Sequence, residues 1–124
     1  EINKQAKKSN RTIECLLQFH IASEQSKFGL SRAQAIEIIL SDEFNALNNV
    51  CVKGVMGMAS FTSDNNQVEE EFSVLKAIFD ELKNIIPYPN SFDCISMGMS
   101  GDYKIAIKKG SNMIRIGSTI FGSR

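Results

Sequence analysis

The chain has 124 residues, of which 43% are hydrophobic and 23% charged, with 14 basic and 14 acidic side chains. This length and apolar content predict one globular domain with a buried core, and they argue against a disordered chain. The formal net charge of zero argues against a nucleic-acid-binding surface spread over the whole domain. Because the longest apolar runs are only a few residues, no membrane-spanning helix is expected, and no secretory leader is visible.

The cysteines indicate a reducing environment. Cys15, Cys51 and Cys94 are odd in number, lie far apart and occur within apolar segments. Such spacing is not typical of a disulfide framework or of a zinc site. We therefore expect reduced thiols in the core of a cytoplasmic protein, and no bound metal.

The first half of the chain predicts a helix, a strand and a second helix. Residues Glu1–Arg11 look like the end of a helix, and the apolar run Ile13–Ile21 predicts a strand. Ser31 stands three residues before Gln34, which is the spacing of a capping box at the start of a helix. The apolar face of that helix is expected to carry Ile36, Ile39 and Leu40.

The second half predicts three more strands with helices between them. The strand-like apolar runs are Val50–Ala59, Phe92–Met99 and Met113–Gly117. After the first of these runs, apolar residues at alternating spacings of four and three predict a long helix. This apolar stripe consists of Val68, Phe72, Leu75, Phe79 and Leu82.

Further features of the second half refine this prediction. Glu69, Glu70 and Glu71 are expected in the early turns of the long helix, where carboxylates suit the helix dipole. A short helix is expected from Ser100-Gly101-Asp102 to Lys108-Lys109-Gly110, carrying Ile105, Ala106 and Ile107. The methionines near strand ends are expected to fill the core, and these are Met56, Met58, Met97 and Met99.

Strands that alternate with helices predict an α/β fold with a parallel sheet and right-handed crossovers. Four such strands fit two architectures. The first is a small open sheet, which the length alone favours. The second is half of a (β/α)₈ barrel, whose complete form usually needs about 250 residues.

Small and hydroxyl-bearing residues follow the third and fourth strands, at Ser96–Asp102 and Arg115–Thr119. Such segments leave backbone N–H groups available to an anion, and a helix amino terminus beside them adds a favourable dipole. In barrels, the loops after the last two strands commonly form a phosphate site. Tight turns and helix caps have the same composition, so spacing alone favours them over a phosphate site.

Charged side chains near strand ends leave further alternatives open. Arg115 lies between two isoleucines in an otherwise apolar strand, and a buried guanidinium needs an acceptor. The alternatives for that acceptor are a carboxylate such as Asp93 or Asp102, water at the strand end, and a ligand. His20, the only histidine, is interpreted as a hydrogen-bonded rim residue rather than a catalyst, and Lys27 as solvated. The basic residues of the first helix are interpreted as its solvent face, without a membrane or nucleic-acid partner, and are Lys4, Lys7, Lys8 and Arg11.

Two C-terminal motifs resemble a known family. SMGMSGD at Ser96–Asp102 and MIRIGSTIFGSR at Met113–Arg124 are similar to the C-terminal signature of the pyridoxal phosphate (PLP) homeostasis proteins, relatives of the alanine racemase barrel. LLQFHIASEQSKFGLS resembles that family's fifth-strand segment, and VKGVMGMAS resembles its sixth. The resemblance implies that residues 1–124 are a single partial domain, strands five to eight of a PLP-binding (β/α)₈ barrel. It also implies a cytoplasmic role in binding and delivering PLP.

The resemblance also implies roles for individual residues. Arg115 would face the pyridine nitrogen of PLP, while Ser100, Gly117 and Ser118 would hold its phosphate. Because arginine does not give up its proton, the ring nitrogen would stay unprotonated and the ring would be a weaker electron sink. This suits a PLP carrier better than the alternative, a PLP-dependent amino-acid racemase, which would need a second, β-rich domain. A phosphate-binding module without PLP is the third alternative.

The chain departs from the family pattern in two places. His20 stands where the family usually has asparagine. The family's Schiff-base lysine lies on the first barrel strand, and no lysine here occupies that place, since Lys53, Lys104, Lys108 and Lys109 fall at strand starts or on a helix. The sequence therefore predicts the phosphate side of a PLP site without its covalent anchor, so PLP need not be present on this chain alone. The open sheet edges and apolar inner face predict pairing with an N-terminal barrel half or with a second copy of the chain.

Overall fold

A computed structural model describes residues 1–22 and 29–117 of the chain. Four strands form one sheet in the order β1-β2-β3-β4, and every neighbouring pair is parallel. The strands are β1 (Ile13–Phe19), β2 (Val50–Gly57), β3 (Cys94–Met99) and β4 (Met113–Arg115). The parallel α/β fold is therefore confirmed. Three of the predicted strands end two residues earlier than their apolar runs, and β3 begins two residues later.

Helices connect the strands. They are α1 (Ile2–Lys8), α2 (Arg32–Leu40), α3 (Asp42–Asn45), α4 (Asn65–Lys83) and α5 (Tyr103–Lys108), with a 3₁₀ turn at Pro89–Ser91. The strand order advances by one position at each crossover. Right-handed crossovers of this kind place their helices on the same face of the sheet, so the core forms on that face. Its largest fully buried side chains include Phe72, Phe92, Ile39, Leu75 and Leu82. None of the helices within the described ranges is long and apolar enough to cross a membrane.

The sheet has a second face that is only partly covered. Leu17 and Phe19 of β1 pack with the core cluster. Because side chains alternate along a strand, Leu16 and Gln18 point to the opposite side, and both are only half buried.

Helix α2 begins as the sequence predicts but buries a different arc. The Ser31 hydroxyl accepts from the Gln34 N–H at 3.2 Å, and the Gln34 side chain accepts from the Ser31 N–H at 2.9 Å, which completes the capping box. Ala35 and Ile39 are buried, whereas Leu40 is 63% exposed. The expected position of Leu40 on the buried face is wrong, because the helix packs through an arc centred on Ala35 and Ile39, about 100° away.

Helix α4 carries the predicted apolar stripe, and every member of the stripe is buried. Asp64 caps the start of the helix, because its carboxylate accepts from the N–H groups of Asn66 and Gln67. The three glutamates therefore begin in its second turn, and Glu71 is buried.

The sulfur-containing residues lie nearer the surface than the sequence predicts. The cysteines are free thiols, as expected, but all three are only half buried. Met97 is fully buried, whereas Met58 and Met99 are 43% and 46% exposed. The expectation that these methionines fill the core is wrong for Met58 and Met99, because both lie where strands end and the sheet opens to solvent.

Candidate functional site

The carboxyl ends of the four strands surround a cavity of about 620 Å³. Because all four strands are parallel, their carboxyl ends meet at one edge of the sheet, where ligands of open α/β sheets usually bind. The described residues of the lining include His20, Ser60, Ser100, Arg115 and Gly117. Three of the four residues predicted to form the site, Ser100, Arg115 and Gly117, are thus brought together. Ser118, the fourth, lies outside the described residues, as does Lys27.

Arg115 has an unusual set of partners. Its Nη2 donates to the Gly57 carbonyl at 3.4 Å, which joins β4 to the end of β2. Its Nε is buried and has no hydrogen-bond acceptor among the described residues. A buried donor without an acceptor typically lowers the stability of the fold by about 1–3 kcal/mol. We therefore expect Nε to have a hydrogen-bond partner outside the described residues.

Neither carboxylate that the sequence offers for Arg115 serves it in the described structure. Asp93 lies 3.8 Å from Lys53 Nζ, at the other end of the sheet. Asp102 Oδ1 accepts from the Met99 N–H at 2.7 Å. Among the described residues, neither Asp93 nor Asp102 is therefore the acceptor for the guanidinium, and a ligand or water at the strand end stays a prediction.

The turn that carries Ser100 is closed by Asp102. While the Asp102 side chain accepts from the Met99 N–H, the Asp102 N–H donates to the Met99 carbonyl at 3.1 Å. This reciprocal pair fixes the turn from residue 99 to residue 102 and places Ser100 and Gly101 on the cavity wall. Helix α5 then begins at Tyr103, slightly later than predicted.

Gly98 lets β3 approach α5 just before this turn. Its φ of +107° lies in the left-handed region that side chains disfavour. A Cβ there would also stand 2.7 Å from the Ala106 Cβ. The glycine therefore permits the short connection from β3 to α5 that presents Ser100.

His20 lies one residue beyond β1 on the rim of the cavity. It is exposed, and its backbone N–H donates to the Leu30 carbonyl at 3.2 Å. Gly117 is also exposed and lines the opposite part of the rim, after β4. No group of three or more His, Cys, Asp or Glu side chains within residues 1–22 and 29–117 is arranged to hold a metal ion.

Sequence reasoning missed one hydrogen-bonded pair beside the cavity. Ser60 follows β2, lines the cavity and is 5% exposed, and it donates to the buried carboxylate of Glu71. A signal for Glu71 was present, because it stands three residues after Val68 and four before Leu75, on the apolar face of α4. Met58 and Met99 also line the cavity, and nothing in their apolar runs distinguishes them from core residues.

The parallel sheet and the cavity at its carboxyl edge place the chain in the class of α/β proteins. In that class, ligands usually bind at the carboxyl edge of the sheet. Residues 1–124 match the family model described as "Alanine racemase, N-terminal domain". The chain belongs to this family, which confirms the relationship to the alanine racemase barrel that the sequence motifs indicate.

Two curated relatives of the chain carry the same name. The pyridoxal phosphate homeostasis protein of Pasteurella multocida is 32% identical over 123 residues, which are 99% of this chain and 52% of the relative. The human pyridoxal phosphate homeostasis protein is 35% identical over 122 residues, which are 97% of this chain and 44% of the relative. The chain therefore spans about half the length of the curated relatives it matches.

A solved structure shares the fold. PipY of Synechococcus elongatus, determined with PLP bound, superposes with a TM-score of 0.81 at 23% identity. The superposition covers 97% of this chain and 54% of PipY. The four-stranded arrangement is thus found within a larger protein.

Proposed function

We propose that the chain forms the carboxyl-terminal half, strands five to eight, of a PLP-binding (β/α)₈ barrel. The consecutive strand order β1-β2-β3-β4 supports this architecture over an open doubly wound sheet, in which the strand order reverses at a switch point. The length of the relatives supports it as well, since they have room for four further strands. An N-terminal barrel half, or a second copy of the chain, would cover the half-buried sheet face.

The role that we propose is in PLP homeostasis, where the protein binds PLP and delivers it to other proteins. The names of the curated relatives support this role. The three free thiols suit a reducing compartment such as the cytoplasm.

The observation that carries the proposal is the buried Nε of Arg115, which has no acceptor among the described residues. The pyridine nitrogen of PLP is an acceptor of the right kind, and it would satisfy this donor in the cavity. Ser100 would donate its hydroxyl to the phosphate, and the backbone N–H groups of Gly117 and Ser118 would complete the anion site. The described residues Ser100, Arg115 and Gly117 therefore fit the cofactor.

PLP, when bound, supplies an aldehyde that reacts with amines and a ring that withdraws electrons. Arg115 stays protonated, so the guanidinium would donate to the ring nitrogen and leave that nitrogen without a proton. This would weaken the ring as an electron sink, and a racemase with the same arginine would need acid–base groups placed on both faces of its substrate.

Racemase-like catalysis is the second candidate, favoured by the description of the matching family. Incubating the full-length, PLP-loaded protein with L-alanine in deuterated water separates the two candidates. A carrier is expected to retain PLP with negligible exchange of the α-proton. Exchange with formation of D-alanine at ordinary turnover, about 1–1000 per second, would establish the racemase instead.

The phosphate site has its own test in the full-length protein. Replacing Ser118→Pro removes one backbone donor, and Ser100→Ala removes one hydroxyl. Each is expected to weaken PLP binding by about 1–3 kcal/mol in titrations followed by absorbance. Ser73→Ala is the matched control, because that hydroxyl donates to the Glu69 carbonyl on α4, away from the cavity lining. Unchanged PLP affinity in both site variants would refute the phosphate assignment.

A further inference from the structure

Glu71 is a buried carboxylate whose main partner lies on the cavity wall. It belongs to α4 and is 8% exposed. Oε1 accepts from the backbone N–H of Ser60 at 2.6 Å, and Oε2 accepts from the Ser60 hydroxyl at 2.6 Å. The Gln67 side chain also donates to Oε2, at 3.2 Å. A carboxylate only accepts hydrogen bonds, so these donors stabilise it where water has little access.

The same face of α4 also holds the end of β2. Leu75 lies one helical turn after Glu71, and a Cβ on Gly57 would come within 3.1 Å of its side chain. The absent side chain at Gly57 thus lets β2 lie close to α4. Ser60 lies three residues after Gly57 and is held by Glu71. Helix α4 therefore contacts both ends of the segment 57–60.

This segment reaches Arg115 through a carbonyl. The Gly57 oxygen accepts from Arg115 Nη2, which fixes one side of the guanidinium plane. The Nε of the same group is the buried donor without an acceptor among the described residues. The position of segment 57–60 therefore contributes to the orientation of this donor.

We propose that Glu71 is a positioning residue for the contact between Arg115 and the cofactor ring. The carboxylate anchors Ser60, the anchored segment holds the Gly57 carbonyl, and that carbonyl orients the guanidinium. This inference rests on the proposed function, because it assumes that Arg115 meets the pyridine nitrogen of PLP. It deepens that function, since Glu71 is not among the residues that line the cavity.

The test measures PLP affinity and thermal unfolding of the cofactor-free, full-length protein for four single and two double variants. Glu71→Met keeps the length of the side chain but removes both acceptors, and Glu71→Gln keeps one acceptor for the Ser60 N–H. Glu70→Met is the matched control, because Glu70 is the exposed neighbour on the same helix. Arg115→Lys, alone and combined with each Glu71 variant, completes a double-mutant cycle.

We expect Glu71→Met to weaken PLP binding about tenfold, Glu71→Gln to weaken it less, and Glu70→Met to leave it unchanged. In the Arg115→Lys background the effect of Glu71→Met should disappear, because the group through which it acts has been replaced. If Glu71→Met does not fold, the same cycle with Glu71→Gln decides the matter.

Other outcomes overturn the inference in distinguishable ways. An equal loss of affinity in both backgrounds would show that Glu71 acts without Arg115. A lowered Tm with unchanged affinity would show that Glu71 only stabilises the fold. If Arg115→Lys itself leaves PLP affinity unchanged, the ring contact of the proposed function fails, and the inference fails with it.

Discussion

The amino and carboxyl ends of the four strands carry cavities of similar size, about 550 Å³ and about 620 Å³. At the amino end, Lys53 lies 3.7 Å from Glu14 and 3.8 Å from Asp93. At the carboxyl end, Arg115 has no carboxylate partner within the described part of the chain, and its Nε has no acceptor. Cavity size therefore does not distinguish the two ends of the sheet. The two ends differ in whether the described residues satisfy the cation that lines the cavity.

The largest expected effect is on PLP affinity, and it distinguishes Arg115 from Lys53. In the full-length protein, Arg115→Met should weaken PLP binding about tenfold to a hundredfold, because it removes a hydrogen bond to the ligand from a charged group. Lys53→Met should leave PLP affinity unchanged, because Lys53 already has its partners at the opposite end of the sheet. Fluorescence titration with PLP measures the affinity of both variants. A loss of affinity in Lys53→Met equal to that in Arg115→Met would abolish the distinction.

A second prediction concerns the stability of the carboxyl end. Gly98→Ala should lower the free energy of unfolding by about 1–3 kcal/mol, because it places a side chain in a left-handed conformation against Ala106. Gly101→Ala is the control, since a Cβ there meets no atom within 4 Å. Urea denaturation compares the two. Equal stability of the two variants would contradict the packing of β3 against α5.

A smaller loss of stability is expected from a substitution at the amino ends of the strands. Lys53→Met should destabilise the protein by at most about 1 kcal/mol, because its two ion pairs are long and partly solvated. Adding salt should reduce the difference between this variant and the unchanged protein, since salt screens exposed charges. Urea denaturation at low and high ionic strength provides the comparison. A loss of several kcal/mol that salt does not affect would show a tightly coupled buried network instead.

The smallest expected effect is on the pH dependence with which the Cys94 thiol is labelled. Cys94 lines the cavity at the amino ends of the strands. Burial raises its pKa, the Asp93 carboxylate raises it further, and the Lys53 ammonium opposes the shift. Because less thiolate is present at a given pH, its labelling-rate profile should lie at higher pH than that of an unfolded cysteine. Lys53→Met should move the profile further upward, and Asp93→Asn should move it back. Rates are measured with Cys15 and Cys51 replaced by serine, and opposite shifts would contradict the assigned charges.

The sequence predicts the elements well where one periodic signal dominates. The stripe from Val68 to Leu82 fixes the buried face of α4, and the pair Ser31 and Gln34 fixes the start of α2. At the site, the sequence singles out Arg115 because a charged residue stands in an apolar strand. The burial of its Nε, on which the site proposal depends, follows from that same pattern.

Other features depend on packing that local sequence does not specify. Leu40 is exposed because the contact arc of α2 is set by its neighbours, and its own apolar character does not decide this. Met58 and Met99 resemble core residues in sequence, and only the arrangement of the strand ends places them on a cavity wall. The partnership of Ser60 and Glu71 joins residues eleven positions apart, and its geometry depends on how α4 returns to β2.

The turn closed by Met99 and Asp102 bears on how quickly a ligand is captured. Its two hydrogen bonds are formed by the chain alone, so Ser100 is held in place before any anion arrives. Little conformational entropy is then lost at that turn on binding, and association needs no slow rearrangement there. Differences in affinity for a phosphate at this turn would accordingly lie mainly in its dissociation rate.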